Sequence, residues 1–100
     1  MTKPADLKPG DRLETAIGVL VVDAEPFDDG GEEMARKFGV DYRPDEDRVH
    51  VDVEVPEPGK FGDAARMLEV TGAAEFSWLG LMPLRYRLAF KPDTDVEVVR

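Results

Sequence analysis

The chain predicts a single α+β domain, dominated by antiparallel β-sheet, open or closed into a small barrel, with one or two short helices. Three observations carry this reading. Val49, Val51, Val53 and Val55 alternate with Arg48, His50, Asp52 and Glu54, the period of a strand with one buried and one wet face. The C-terminal third repeats the pattern in Phe76 and Trp78, in Leu84, Tyr86, Leu88 and Phe90, and in Val96 and Val98. Only two short segments, near residues 32–38 and 63–68, carry helix signals, so sheet outweighs helix.

The 100 residues fit one core and not two. Hydrophobic residues make up 42% of the chain, enough to bury that core, and no apolar run reaches the roughly 20 residues of a membrane-spanning helix. Met1-Thr2-Lys3-Pro4-Ala5-Asp6 has no apolar signal segment, so a cytoplasmic or virion setting is expected. Cysteine is absent, which removes disulfides and thiolate metal sites.

Lys8-Pro9-Gly10-Asp11 reads as a turn, because proline presets its first central position and glycine accepts positive φ at the second. Leu13, Thr15 and Ile17 then alternate with Arg12, Glu14 and Ala16, Gly18 marks a hairpin turn or a bulge, and Val19-Leu20-Val21-Val22 continues as a buried run. Residues 7–22 resemble the opening of small SH3-like barrel modules in their Pro-Gly-Asp turn, strand, Thr-x-x-Gly corner and second strand. The resemblance implies a barrel-like β fold and assigns no functional residue.

Asp28-Asp29-Gly30-Gly31 supplies a helix start, Glu32 and Glu33 suit its first turn, and Gly39 stops it, so a helix over Glu32 to Phe38 is predicted to cover one face of a sheet through Met34 and Phe38. Pro44-Asp45-Glu46-Asp47 is a turn joining the valine strand to Val40-Asp41-Tyr42-Arg43 as a hairpin, and Pro56-Glu57-Pro58-Gly59 ends that strand. Residues 61–72 read as helix or strand, with a helix over Asp63 to Leu68 preferred. In the C-terminal hairpin, burial selects a register with Trp78 opposite Leu84, Phe76 opposite Tyr86 and Glu75 opposite Arg87. That register places Trp78 and Tyr86 on one buried face. Lys91-Pro92-Asp93-Thr94-Asp95 then turns the chain so that Phe90 meets Val96 and Leu88 meets Val98.

Catalytic chemistry has little to draw on. Asn and Gln are absent, His50 and Ser77 are single, and carboxylates dominate. His50, Asp52 and Glu54 share a strand face, but an iron facial triad needs a second histidine. A hard cation on Asp52 and Glu54 competes with the reading of a solvated face. The run Asp45, Glu46, Asp47 lacks the glycine and spacing of a calcium loop, Ser77 has no Gly-x-Ser-x-Gly elbow, and neither Gly30-Gly31 nor Gly59-Lys60 forms a phosphate loop. No enzyme class, cofactor or metal is therefore expected.

The net charge of -9, from 22 acidic and 13 basic residues, argues against direct nucleic-acid binding and against anionic membrane surfaces. It is compatible with a halophilic composition, with an ordinary acidic surface, or with an acidic DNA mimic that inhibits a nucleic-acid-binding protein. A small-molecule binder with an aromatic pocket at Tyr42, Phe61, Trp78 and Tyr86 is a further reading. Trp78-Leu79-Gly80-Leu81-Met82-Pro83-Leu84 is uncharged and apolar, with a loop expected from Leu79 to Pro83. Leu81 and Met82 at its tip either fold onto the core or dock into a partner. The expected function is that of a non-catalytic structural or adaptor subunit in a larger assembly, its partner-binding residues being Leu79, Leu81, Met82 and Pro83 and its partner a protein or a second copy.

Overall fold

The computed structural model describes residues 2–16, 18–28, 31–39, 41, 47–57 and 64–99. Readings that rest on Ile17, Val40, Tyr42, Asp45, Glu46, Phe61, Asp63, Arg100 and the rest of 29–30, 42–46 and 58–63 lie outside them. Seven strands lie among the described residues: β1 (Arg12–Thr15), β2 (Gly18–Val22), β3 (Phe27–Asp28), β4 (Val49–Glu54), β5 (Glu75–Leu81), β6 (Leu84–Phe90) and β7 (Val98–Val99). With α1 (Gly31–Phe38) and α2 (Ala64–Thr71) they make a sheet-dominated α+β fold. The strand order is β5-β6-β4-β2-β1-β7, every pairing is antiparallel, and the sheet is open. The barrel implied by the opening residues is not formed.

The Pro-Gly turn forms as expected. Gly10 takes φ +93°, the Asp11 N–H donates to the Lys8 carbonyl at 3.0 Å, and the Asp11 carboxylate accepts from the Lys8 N–H at 2.9 Å. Gly18 belongs to a hairpin turn and not a bulge: it pairs with Thr15, whose hydroxyl donates to the Gly18 carbonyl at 2.7 Å.

β4 is the spine of the sheet. Its valines Val49, Val51 and Val53 lie opposite Phe90, Leu88 and Tyr86 on one face, and all but Tyr86 of these are buried. Leu13, Leu20 and Val22 extend that face along β1 and β2. Leu7, after a 3-10 turn at Pro4–Asp6, and Met67 of α2 cover it, each nearly inaccessible.

Helix α2 runs past Leu68 to Thr71, so Val70 and Thr71 are helical despite their β-branching. The Thr71 hydroxyl donates to the Met67 carbonyl at 2.7 Å, and Gly72 at φ +79° stops the helix with its N–H on the Leu68 carbonyl. Packing of Met67, Leu68 and Val70 on the core outweighs strand propensity here. Helix α1 lies where the sequence places it, but Phe38 is 68% exposed and does not cover a sheet face.

The expected hairpin between residues 40–43 and β4 lies outside the described residues. β4 itself is flanked by β6 on one side and by β2 and β3 on the other, its Val49 end pairing with Phe27 and Asp28. The expected pairing of β7 with β6 is not formed, because both edges of β6 are filled. β6 lies between β4 and β5. β7 therefore crosses to β1, where Val98 pairs with Leu13, while Val96 bridges to Thr2.

Lys3 ties this C-terminal segment down by donating to Asp95 at 2.6 Å and to the Asp93 carbonyl at 2.9 Å. That hydrogen bond, with the lysine charge, lowers the Asp95 pKa from the ordinary value of 3.8. The fold thus favours the ionised form, and its contribution is present above the unfolded pKa and lost as pH falls through the lower folded one. Both groups are about half exposed, so the effect is small and salt-sensitive. Asp95→Asn should lower the melting temperature slightly at neutral pH, and the difference should vanish in strong acid.

Candidate functional site

The C-terminal hairpin departs most from the sequence reading. Trp78 pairs with Tyr86, Phe76 with Leu88, Ser77 with Arg87 and Glu75 with Ala89, two residues away from the expected register. The strands also continue to Leu81 opposite Leu84, so Met82 and Pro83 alone form the turn, joined by a cis peptide bond. One extra residue, Leu79, is accommodated as a bulge between Trp78 and Gly80. The bulge returns Leu81 to the side that carries Trp78, since their partners Leu84 and Tyr86 share a face.

The apolar face of this hairpin therefore begins in the core and ends in water. Leu88 and Phe90 are fully buried, Phe76 and Tyr86 are half-buried with ring centroids 5.7 Å apart edge to face, and Trp78 is 60% exposed. The expected burial of Trp78 is thus corrected, although it does share a face with Tyr86. The reason is positional: α2 and Leu7 cover the far end, while β4 ends at Glu54 opposite Arg85. Of the residues singled out for docking, Leu81 is 67% and Met82 92% exposed, Pro83 is exposed, and Leu79 is half-buried in the bulge. Leu81 and Met82 do not fold back onto the core.

The opposite face of the sheet is polar and carries two arginine–carboxylate pairs. Arg87 grips Asp52 through two hydrogen bonds of 2.7 and 3.1 Å, and Arg85 pairs with Asp23. The hydrogen bond to its carboxylate raises the pKa of each arginine above its ordinary value. Phe27 stacks on His50 with centroids 5.0 Å apart and lies 4.9 Å beneath the Arg87 guanidinium. This cover leaves Asp52 only 8% exposed. Both Asp52 oxygens are thus engaged by arginine, and no metal-ligating group of three or more His, Asp or Glu occurs among the described residues.

Arg87→Ala strands the Asp52 carboxylate in a nearly dry place and should cost about 1 to 3 kcal/mol. The lower part of that range is expected because the Arg87 side chain is 37% exposed. A double-mutant cycle with Asp52→Ala, followed by urea denaturation, should recover part of the loss.

Two clefts lined by described residues include neither Trp78 nor Tyr86. The larger, about 320 Å³ between β1, α2 and the segment before β7, is rimmed by Glu14, Glu69, Asp95 and Glu97 with no Lys or Arg in its lining. Carboxylates so grouped repel one another, and molar salt shortens the screening length from about 10 Å to about 3 Å. The melting temperature should therefore rise from low to molar sodium chloride. A flat response would mean that the acidic surface carries no electrostatic strain.

Sequence reasoning missed Trp78 as surface, and Phe27 as cover for the polar face. A signal for the first existed, since no ionisable residue occurs from Phe76 to Leu84. No protein-family model matches the chain, and neither a curated protein nor a solved structure is significantly similar to it.

Proposed function

We propose that this chain is a non-catalytic structural or adaptor subunit that docks into a larger protein assembly through the tip of its C-terminal hairpin. The observation that supports it is the joint exposure of Trp78, Leu81 and Met82 on the edge strand and turn of one hairpin in an otherwise acidic chain. An apolar patch on such a base is suited to binding, because its backbone is already ordered and little entropy remains to be lost. Trp is a frequent hot spot, and Met adapts to irregular pockets. The partner is a protein or a second copy, neither nucleic acid nor membrane, and a virion or another multi-protein complex is the kind of assembly meant. Pull-down from the native source followed by mass spectrometry tests this, with Leu81→Asp/Met82→Asp as the control bait. Partners held by the native chain and lost by the control support the reading, and identical sets for both refute it.

A further inference from the structure

We propose that a second copy of this chain adds along the open edge of β5, antiparallel across a two-fold axis at Ser77, making the two sheets one. This rests on the reading of the hairpin as a docking element and narrows it to one edge, one register and one occupant.

The register follows from the backbone. The Val55 N–H donates to the Leu84 carbonyl at 2.8 Å, and the Asp23 N–H donates to the Asp52 carbonyl at 3.0 Å on the other side of β4. Hydrogen-bonding direction alternates along a strand. Leu84, Tyr86, Leu88 and Phe90 therefore bond towards β4, and Arg85, Arg87 and Ala89 bond towards β5, where they face Gly80, Ser77 and Glu75. Phe76 and Trp78 are left with N–H and C=O directed outwards, and among the described residues no strand pairs with that edge.

A dyad at Ser77 places Phe76 of each copy opposite Trp78 of the other and engages all four outward groups of each copy in four hydrogen bonds. A dyad at Phe76 would instead call on Ala74, whose N–H is already on the Ala89 carbonyl at 2.8 Å. A dyad at Trp78 would run the ladder through the bulge to Gly80, which pairs inwards with Arg85. Only the Ser77 register is self-complementary, as an isologous contact requires.

Charge selects the same place. In a chain of net charge -9, the stretch from Phe76 to Leu84 is neutral and holds no lysine, and its one proline lies in the turn. Beyond Glu75, the charges and prolines that usually blunt an edge strand are thus missing from β5. The Ser77 dyad sets Glu75 opposite Leu79 of the second copy, at the end where Arg85 lies on the same face, so the two Glu75 side chains stay apart. On the apolar face, Trp78 gains a cross-strand aromatic neighbour in Phe76 of the second copy.

The chain has no cysteine, so Ser77→Cys introduces a unique thiol at the dyad. A non-hydrogen-bonded antiparallel pair brings Cα atoms to about 4.5 Å, within disulfide reach. Under a mild oxidant, Ser77→Cys should become a covalent dimer while Met82→Cys and Val99→Cys remain largely monomeric. Ser77→Glu, which faces Arg87 in its own protomer but another Glu across the dyad, should sediment as monomer where the native chain is dimeric, with an unchanged circular dichroism spectrum. A native chain that stays monomeric at every concentration, crosslinking no faster than in the controls, or a Ser77→Glu variant that still dimerises, overturns the pairing. If the native chain is monomeric yet captures a partner through Leu81 and Met82, self-pairing fails and the docking reading stands. Crosslinking at Ser77 with partner capture indifferent to Leu81→Asp/Met82→Asp has the converse meaning.

Discussion

Phe90→Ala is expected to destabilise the fold by about 3 to 5 kcal/mol, whereas Trp78→Ala should cost no more than about 1 kcal/mol. Phe90 is the largest fully buried side chain among the described residues, opposite Val49, and its removal leaves a cavity among the surrounding valines and leucines. Such a loss is a large share of the roughly 5 to 15 kcal/mol that a domain has in total. Trp78 lies on the same apolar face but keeps 60% of its surface in water, so little burial is lost with it. Urea denaturation followed by circular dichroism measures both. A Trp78→Ala cost comparable to that of Phe90→Ala would place the hairpin tip in the core.

The second large effect is on association and not on stability. Leu81→Asp with Met82→Asp replaces two side chains that are 67% and 92% exposed, and exposed substitutions usually change stability by no more than about 0.5 kcal/mol. At an interface the same change buries carboxylates against an apolar pocket. Anchors of this kind carry about 2 kcal/mol or more each, so capture should fall at least about 30-fold at the lower bound for one anchor. Equal melting temperatures with lost capture are the expected pair of results. An unfolded double variant would return both residues to the core.

The strands were legible wherever alternation meets burial. The valines of β4 declare their face because one side is dry and the other carries His50, Asp52 and Glu54. The hairpin register was not legible, for two physical reasons. Burial favours placing Trp78 over the core, yet the covering elements are finite and end before it. The bulge at Leu79 changes the pairing by one residue at a point where apolar residues stand on both sides and no polar residue marks the slip. Partner choice for β7 was likewise hidden, since whether β6 has a free edge depends on where β4 and β5 lie. Of the docking residues, the absence of charge marked Leu81 and Met82, but their exposure depends on where the core stops.

Trp78 is the only tryptophan, and it makes the hairpin tip its own reporter. Its fluorescence, with acrylamide quenching, is to be measured on the isolated chain and again as the chain is concentrated or bound to a captured partner. Long-wavelength, readily quenched emission is expected from the free monomer, shifting to shorter wavelength and losing quencher access on association. Emission already blue and shielded in the monomer, or association that leaves it unchanged, would contradict the claim that this hairpin is the docking element.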